Sequence, residues 1–283
     1  MSLVTVGSVK GAPGVTTLSL LVATELGRRI ESRRPRVVLV ECDTSGGDLA
    51  PRLGLPGLPG IATLALAARR GLSTDLVLEH SQAVPGAPHV GLLAGVAGPE
   101  QGAAIGWLLG QLGRVLAAHE LVAIVDTGRI RVDDPMAVEL AHEALVSLLV
   151  SRSDPGSVLH LRVAADASRD RGFDPELVVI GDRPYSPSEV ARATGLGLVG
   201  WLPDDAVATS MLLPPGPSDA IARHGNNGRS RPAARRDHSA TPERRRYRAS
   251  RDALASIVDA LAARLGLSGP SRPWRRGREP AAR

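Results

Sequence analysis

Residues 8–17 constrain the fold of this chain more than any other stretch, because they join a predicted strand to a predicted helix through a glycine-rich turn. The strand is the apolar run at residues 3–9, and a helical pattern begins near Thr17. A turn of this kind binds phosphate when its backbone N–H groups surround the phosphate oxygens, a lysine neutralises them and a hydroxyl ligates Mg²⁺. The predicted phosphate-binding loop consists of Lys10, Gly11, Ala12, Pro13, Gly14, Val15, Thr16 and Thr17.

The loop departs from the general phosphate-binding pattern G-x-x-x-x-G-K-[ST] at two positions. Gly14 and Thr16 stand where the second glycine and the hydroxyl are required, but Val15 occupies the position of the lysine and Val9 that of the first glycine. Lys10, the only lysine of the chain, lies at the start of the loop instead. The alternative interpretation is a strand-to-helix turn that needs glycine and proline for its backbone alone.

Acidic residues lie at the ends of two further predicted strands. Residues 36–41 form an apolar strand typical of a parallel sheet covered on both faces, and Glu41 and Asp43 lie at its end. Residues 121–128 form another apolar strand that ends in Asp126 and, two positions on, a glycine. Open α/β sheets place their chemistry at the carboxyl ends of the strands, so these acids are candidate site residues. The simpler alternatives are a helix N-cap at Asp43 and an ordinary turn in the glycines that follow it.

The rest of the chain alternates predicted strands with predicted helices, which favours an α/β fold with a mostly parallel sheet. Helices are predicted at residues 18–30, 61–70, 99–118, 155–167 and 186–194, and strands at residues 89–95, 144–151, 176–182 and 197–203. Trp201 alternates with Val199 on the last strand, so we predict a core position for it, with a base-stacking platform as the alternative. Arg129 and Arg131 are predicted to be solvated, and phosphate contact is their alternative role.

Taken together, these motifs resemble the ParA/MinD family of P-loop ATPases, whose deviant loop has the form K-G-G-x-G-K-[ST]-[ST]. The matching positions are Lys10, Gly11, Gly14, Thr16 and Thr17, and the differing ones are Ala12 and Val15. The segment from Glu41 through Asp43 to Asp48 resembles the family's acidic motif after the second strand, and Asp126 resembles its Walker B acid. Pro203 and Asp205 resemble the family's G-x-x-P-x-D turn. Residues 181–184 differ from the family, which leaves base specificity open.

The resemblance implies a three-layer α/β/α P-loop NTPase domain that binds ATP and Mg²⁺ and switches between states in partitioning, positioning or regulation. It implies that Thr16 ligates Mg²⁺, Asp126 holds the metal through water, Asp43 orients the attacking water, Lys10 reaches a nucleotide across a homodimer, and Pro203 and Asp205 lie against the adenine. Because Val15 removes a positive charge from the loop, we expect slow or absent hydrolysis. The alternative is a pseudo-ATPase that binds an unidentified protein partner or nucleic acid without turnover.

Charge divides the chain into two parts. Residues 223–283 carry 16 arginines against 5 acidic residues, whereas residues 1–222 carry 18 basic and 24 acidic residues. We predict a nucleotide-binding domain over residues 1–222, an arginine-rich disordered linker over 223–249, an amphipathic helix over 250–267 that docks on this domain or on a partner, and a basic disordered tail over 268–283. The arginines predict either non-specific contact with nucleic acid or a solubilising tail.

Neither a signal peptide nor a membrane span is predicted, because no basic segment precedes the first strand and no long apolar run occurs. The lone Cys42 excludes a disulfide framework within the chain and a cysteine metal cluster. These features lead us to expect a cytoplasmic protein.

Overall fold

The computed structural model of the chain describes residues 2–11, 14–30, 36–118, 121–130, 135–210, 212–214 and 242–267. The strands of these residues are β1 (Leu3–Ser8), β2 (Val37–Glu41), β3 (Gln82–Val84), β4 (Ala87–Leu93), β5 (Val122–Arg129), β6 (Val146–Arg152), β7 (Glu176–Ile180) and β8 (Leu198–Leu202). The described helices are α1 (Val15–Arg29), α2 (Leu49–Leu53), α3 (Ile61–Ala67), α4 (Thr74–Glu79), α5 (Pro99–Ala117), α6 (Pro135–Glu143), α7 (Pro155–Asp170), α8 (Pro187–Thr194), α9 (Ala206–Ser210) and α10 (Pro242–Arg264).

All eight strands form one sheet in the order β3-β4-β2-β5-β1-β6-β7-β8. Every neighbouring pair is parallel except β3 and β4, which are antiparallel at one edge. Side chains alternate across a strand, and β2 shows this clearly because Val37 and Leu39 join one core cluster while Val38 and Val40 join the other. Helices cover both faces of the sheet, which confirms the predicted three-layer α/β/α arrangement of a P-loop NTPase.

The C-terminal helix α10 begins at Pro242, eight residues before the predicted boundary at residue 250. Its arginine-rich first turns lie in the predicted linker. They are helical because arginine, glutamate and alanine are good helix formers and proline is tolerated in a first turn. Predicted linker residues 223–241 and predicted tail residues 268–283 lie outside the described residues.

One face of α10 packs on the main domain, next to β8 and α1. Its buried apolar residues are Leu254, Ile257, Val258 and Leu261. A Cβ on Gly200 of β8 would come within 2.6 Å of the Ile257 side chain, so the close approach of helix and strand depends on glycine at this position. Two ion pairs flank the contact, Arg29 with Asp259 at 2.7 Å and Arg264 with Glu176.

Strand β3, its hairpin with β4, and the helices α2, α4, α6 and α9 were not predicted, whereas a strand at the position of β4 was. The turn of this hairpin holds Pro85 and Gly86, a sequence typical of a turn, but β3 has only three residues. Across the described ranges, none of the helices has the length and apolar character that a membrane crossing requires.

Candidate nucleotide-binding site

The predicted phosphate-binding loop lies between the carboxyl end of β1 and the N-terminus of α1. Gly11 has φ 64° and Gly14 has φ 120°, backbone conformations that favour glycine at both positions. The other two residues of the turn, Ala12 and Pro13, lie outside the described residues. The carbonyl of Gly14 accepts the first helical hydrogen bond, from the N–H of Leu18 at 2.7 Å. The N–H groups of the first turn have no partner within the helix, so they are available to an anion.

Val15 and Lys10, the two residues on which the charge of the loop depends, have different environments. Val15, at the position of the lysine in the general pattern, is 5% exposed and packs in the hydrophobic core between α1 and the sheet. Lys10 is exposed, and its Nζ would lie 3.9 Å from a Cβ on Gly156 at the start of α7. The side chain of Lys10 therefore does not take the position that Val15 leaves without charge.

A hydroxyl and a buried carboxylate meet directly below the loop. The hydroxyl of Thr16 lies close enough to the buried carboxylate of Asp126 on β5 to lower its pKa. Asp126 is 1% exposed, and its Oδ1 also accepts the N–H of Gly128 at 2.9 Å. Burial raises the pKa of Asp126 to about 6, and the nearby hydroxyl of Thr16 offsets part of this rise. Because burial makes the ionised form of Asp126 costly, a cation such as Mg²⁺ beside it would stabilise the carboxylate.

Asp43 lies against the end of β5, close to the same carboxylate. A Cβ on Gly128 would overlap the carboxylate of Asp43, and Gly128 has φ 59°, so glycine is required there on both grounds. The N–H of Ser45 donates to Asp43 Oδ1 at 2.8 Å, which fixes the side chain. The structure thus brings Thr16, Asp126 and Asp43 to one end of the sheet, although they come from three separate segments.

Glu41 has a structural environment that the sequence did not predict. It is 3% exposed, and its carboxylate accepts three backbone N–H groups, from Asp48 at 2.7 Å, Leu49 at 2.8 Å and Gly95 at 3.0 Å. Burial raises the pKa of Glu41, and these three hydrogen bonds counteract the rise. Glu41 therefore holds the turn after β2 and the start of α2 against the loop that follows β4.

A pocket of about 640 Å³ adjoins the loop at the carboxyl ends of β6, β7 and β8. It is lined by Arg152, Ser153, Asp154, Ile180, Gly181, Asp182, Arg183, Trp201, Pro203, Asp204, Asp205, Ala206, Val207 and Arg246. Ile180 lines the pocket and also lies next to the loop, since a Cβ built on Gly14 would be 3.8 Å from the Ile180 side chain. The pocket includes the predicted residues Pro203 and Asp205 and the first three residues of the 181–184 segment that departs from the family pattern.

Trp201 corrects one prediction about this pocket. We expected a core position, but Trp201 is 37% exposed and lines the pocket, even though Val199 on the same strand is buried. β8 is an edge strand, and the pocket opens at its carboxyl end, so alternation along the strand did not predict burial there. An indole in this position offers a flat apolar face to a ring system.

Arginines supply the positive charge of the pocket. Arg152 pairs with Asp204 at 2.9 Å, and Arg246 of α10 lies 3.8 Å from the carboxylate of Asp205. Neither arginine carried a sequence signal, because each reaches the site through a distant part of the chain. Arg129 is exposed and donates from Nε to the Val9 carbonyl at 3.3 Å, whereas Arg131 lies outside the described residues.

The donor set suits Mg²⁺ that is shared with phosphate. Across the described ranges, no three carboxylate, histidine or cysteine side chains converge to form a metal cage made by protein alone. Mg²⁺ commonly keeps several waters and takes one or two carboxylates together with phosphate oxygens. The pair of Thr16 and Asp126 beneath a helix N-terminus matches that requirement.

No protein-family model matches the sequence, and no curated protein does so either. Solved structures match over nearly the whole chain. The cell division ATPase MinD of Pyrococcus furiosus is 16% identical with a TM-score of 0.65, and the match covers 93% of this chain and 99% of MinD. A ParA family ATPase from Chlorobium tepidum TLS is 17% identical with a TM-score of 0.67, covering 92% and 97%. The septum site-determining protein MinD of Pyrococcus horikoshii OT3, complexed with Mg-ADP, is 13% identical with a TM-score of 0.57, covering 92% and 95%. The chain therefore has the fold of the MinD and ParA ATPases.

Proposed function

We propose that this protein is a nucleotide-binding switch of the MinD and ParA kind, which binds Mg·ATP at the carboxyl ends of its central strands and hydrolyses it slowly or not at all. The observation that carries the proposal is the position of the buried Asp126 beside the hydroxyl of Thr16, in the first turn of the helix that follows the glycine loop. A buried acid beside a hydroxyl at a helix N-terminus supplies the ligand chemistry of a magnesium–phosphate site. The similar MinD of P. horikoshii is itself complexed with Mg-ADP.

Each part of the site has a distinct role in this proposal. The first-turn N–H groups of α1 bind phosphate oxygens, Thr16 ligates Mg²⁺ and Asp126 holds the metal's water. Mg²⁺, when bound, offsets the negative charge of the phosphates. Asp43 orients an attacking water, and Trp201, Pro203 and Asp205 bound the pocket for the base.

Slow hydrolysis follows from the charge of the loop. Phosphoryl transfer depends on positioned cations that offset charge on the phosphoryl oxygens. Val15 contributes an apolar side chain to the core, and Lys10 lies beside α7. Loss of one such electrostatic contact commonly lowers the rate by about 10²- to 10³-fold.

Calorimetric titration with Mg·ATP, combined with a phosphate-release assay, tests the proposal. We expect the wild type to bind Mg·ATP with little turnover, and Val15→Lys to bind more tightly and hydrolyse faster. Val163→Lys, at a 62% exposed position of α7, controls for the added net charge, and thermal unfolding checks that Val15→Lys, at a buried position, keeps the native fold. Absence of binding to the wild type at millimolar ligand would disprove nucleotide binding by this protein, and ordinary turnover by the wild type would disprove slow hydrolysis.

A second function, an interaction module without turnover, is favoured by the valine at the lysine position of the loop and by the arginines of α10. Arg244, Arg245 and Arg248 are exposed on the helix, and their guanidinium groups can contact phosphates of nucleic acid without reading its sequence. We expect the affinity for duplex DNA to fall with salt, by about 0.9 in log–log slope for each phosphate contacted. Replacing these three arginines with glutamine should reduce the slope, and an unchanged slope would exclude this surface. The proposal also includes a homodimer that forms through the face carrying the phosphate-binding loop, and binding of an unidentified protein partner.

A further inference from the structure

The phosphate-binding loop lacks its lysine, so any phosphate bound there needs a cation from another part of the chain. Two of the cationic side chains near the loop are paired or directed elsewhere. Lys10 lies beside Gly156, and Arg152 pairs with Asp204. Asp43 and Asp126 lie at the same end of the sheet, and their negative charge increases the need for positive charge beside a bound phosphate.

Arg52 of α2 reaches the N-terminus of α1 from the side. Its Nη2 donates to the hydroxyl of Thr17 at 3.2 Å, although the two residues are 35 positions apart in sequence. Thr17 directly follows Thr16 in the first turn of α1, the turn whose N–H groups face the proposed phosphates. Within the described parts of the chain, Arg52 is exposed and forms no ion pair with a carboxylate. A guanidinium has five N–H donors, so the bond to Thr17 leaves others for a ligand.

The position of Arg52 is fixed by the fold. Leu49 and Leu53, on either side of it in α2, are 0% and 5% exposed and pack in the same core cluster as α1. The buried Glu41 accepts the N–H groups of Asp48 and Leu49 and so anchors the beginning of α2. The backbone that carries Arg52 is therefore held beside the loop before any ligand binds.

We propose that Arg52 is a phosphate-binding residue of this site and supplies, from α2, positive charge that the loop lost at Val15. The inference rests on the proposed function, since it assigns a cation to the same nucleotide site. Arginine is suited to the role because its planar guanidinium can make paired hydrogen bonds to phosphate oxygens. Arg52 binds the nucleotide from outside the loop, so its first effect is on affinity rather than on the rate of hydrolysis.

The test compares Mg·ATP affinities of the wild type, Arg52→Gln and Arg69→Gln by calorimetry. Glutamine at position 52 keeps a polar side chain with good helix propensity but carries no charge, and Arg69 is an exposed arginine in the short helical turn after α3. We expect Arg52→Gln to weaken binding by about tenfold, the size of one charge-assisted hydrogen bond. Arg69→Gln should bind like the wild type, and Val15→Lys added to Arg52→Gln should restore affinity. Thermal unfolding without ligand checks that Arg52→Gln keeps the native fold.

The outcomes separate this inference from the proposed function. If the wild type binds Mg·ATP and Arg52→Gln binds equally well, the role of Arg52 is disproved and nucleotide binding stands. Equal weakening by Arg52→Gln and Arg69→Gln would also disprove it, because the effect would then come from net charge. If the wild type does not bind Mg·ATP, the proposed function and this inference fail together.

Discussion

Ile257 provides a direct test of whether α10 is part of the folded domain. Its side chain is fully buried against β8 and sits opposite Gly200. Ile257→Ala removes three carbon atoms, which costs roughly 2–3 kcal/mol of transfer free energy at about 0.8 kcal/mol per methylene. The cavity left behind adds to this, so we expect a loss of about 3–4 kcal/mol in the free energy of unfolding. The exposed ion pair of Arg264 with Glu176 contributes about 1 kcal/mol at most, so apolar packing dominates.

Denaturant and thermal unfolding measure this loss. For a domain of this size we expect a melting temperature lower by roughly 6–16 °C. Leu159→Ala is the matched control, because it also truncates a large apolar side chain but at a position that is 63% exposed. That control should change stability by no more than about 0.5 kcal/mol. If Ile257→Ala costs no more than Leu159→Ala, then α10 does not pack on the sheet and is a separate segment.

Two further predictions concern the site. In metal-free buffer the free energy of unfolding should fall as pH rises from 3.8 to about 6, because folded Asp126 keeps its proton where the unfolded chain has lost it. Asp126→Asn should make the free energy of unfolding less dependent on pH in this range. If denaturation experiments give the wild type and the variant the same slope against pH, the raised pKa is contradicted. Mg·ATP should also change tryptophan emission through Trp201, so Trp201→Phe should lose most of the change and Trp107→Phe, on α5, should keep it. If Trp201→Phe keeps the full change in emission on addition of Mg·ATP, the nucleotide base does not bind beside Trp201.

The parts of the site that the sequence predicted are those with local signals. The glycine loop between β1 and α1, Asp43 after β2 and Asp126 on β5 each stand at the end of a strongly apolar strand. Parallel strands aligned in one sheet bring their carboxyl ends together, so the order of the segments was sufficient to predict that these residues meet.

The parts that were missed depend on contacts between distant segments or on edge effects. Arg52 and Arg246 reach the site from α2 and α10, and no spacing in the sequence relates them to the loop. Trp201 follows an alternating pattern, but an edge strand next to a pocket does not bury every residue on one face. The start of α10 was missed because a run of arginines fits both a solvated linker and a helix whose opposite face is apolar.

The two ends of α10 contact opposite ends of the strands. Arg246, near its beginning, lies by Asp205 at the carboxyl end of β8, whereas Arg264 pairs with Glu176, the first residue of β7. The helix therefore runs antiparallel to the neighbouring strands, from the nucleotide pocket to the far side of the sheet. A fluorophore or fused domain placed before Pro242 would start beside the pocket, and one placed after α10 would start on the far side. The points at which the two flanking arginine-rich segments join the described chain therefore lie at opposite ends of the sheet.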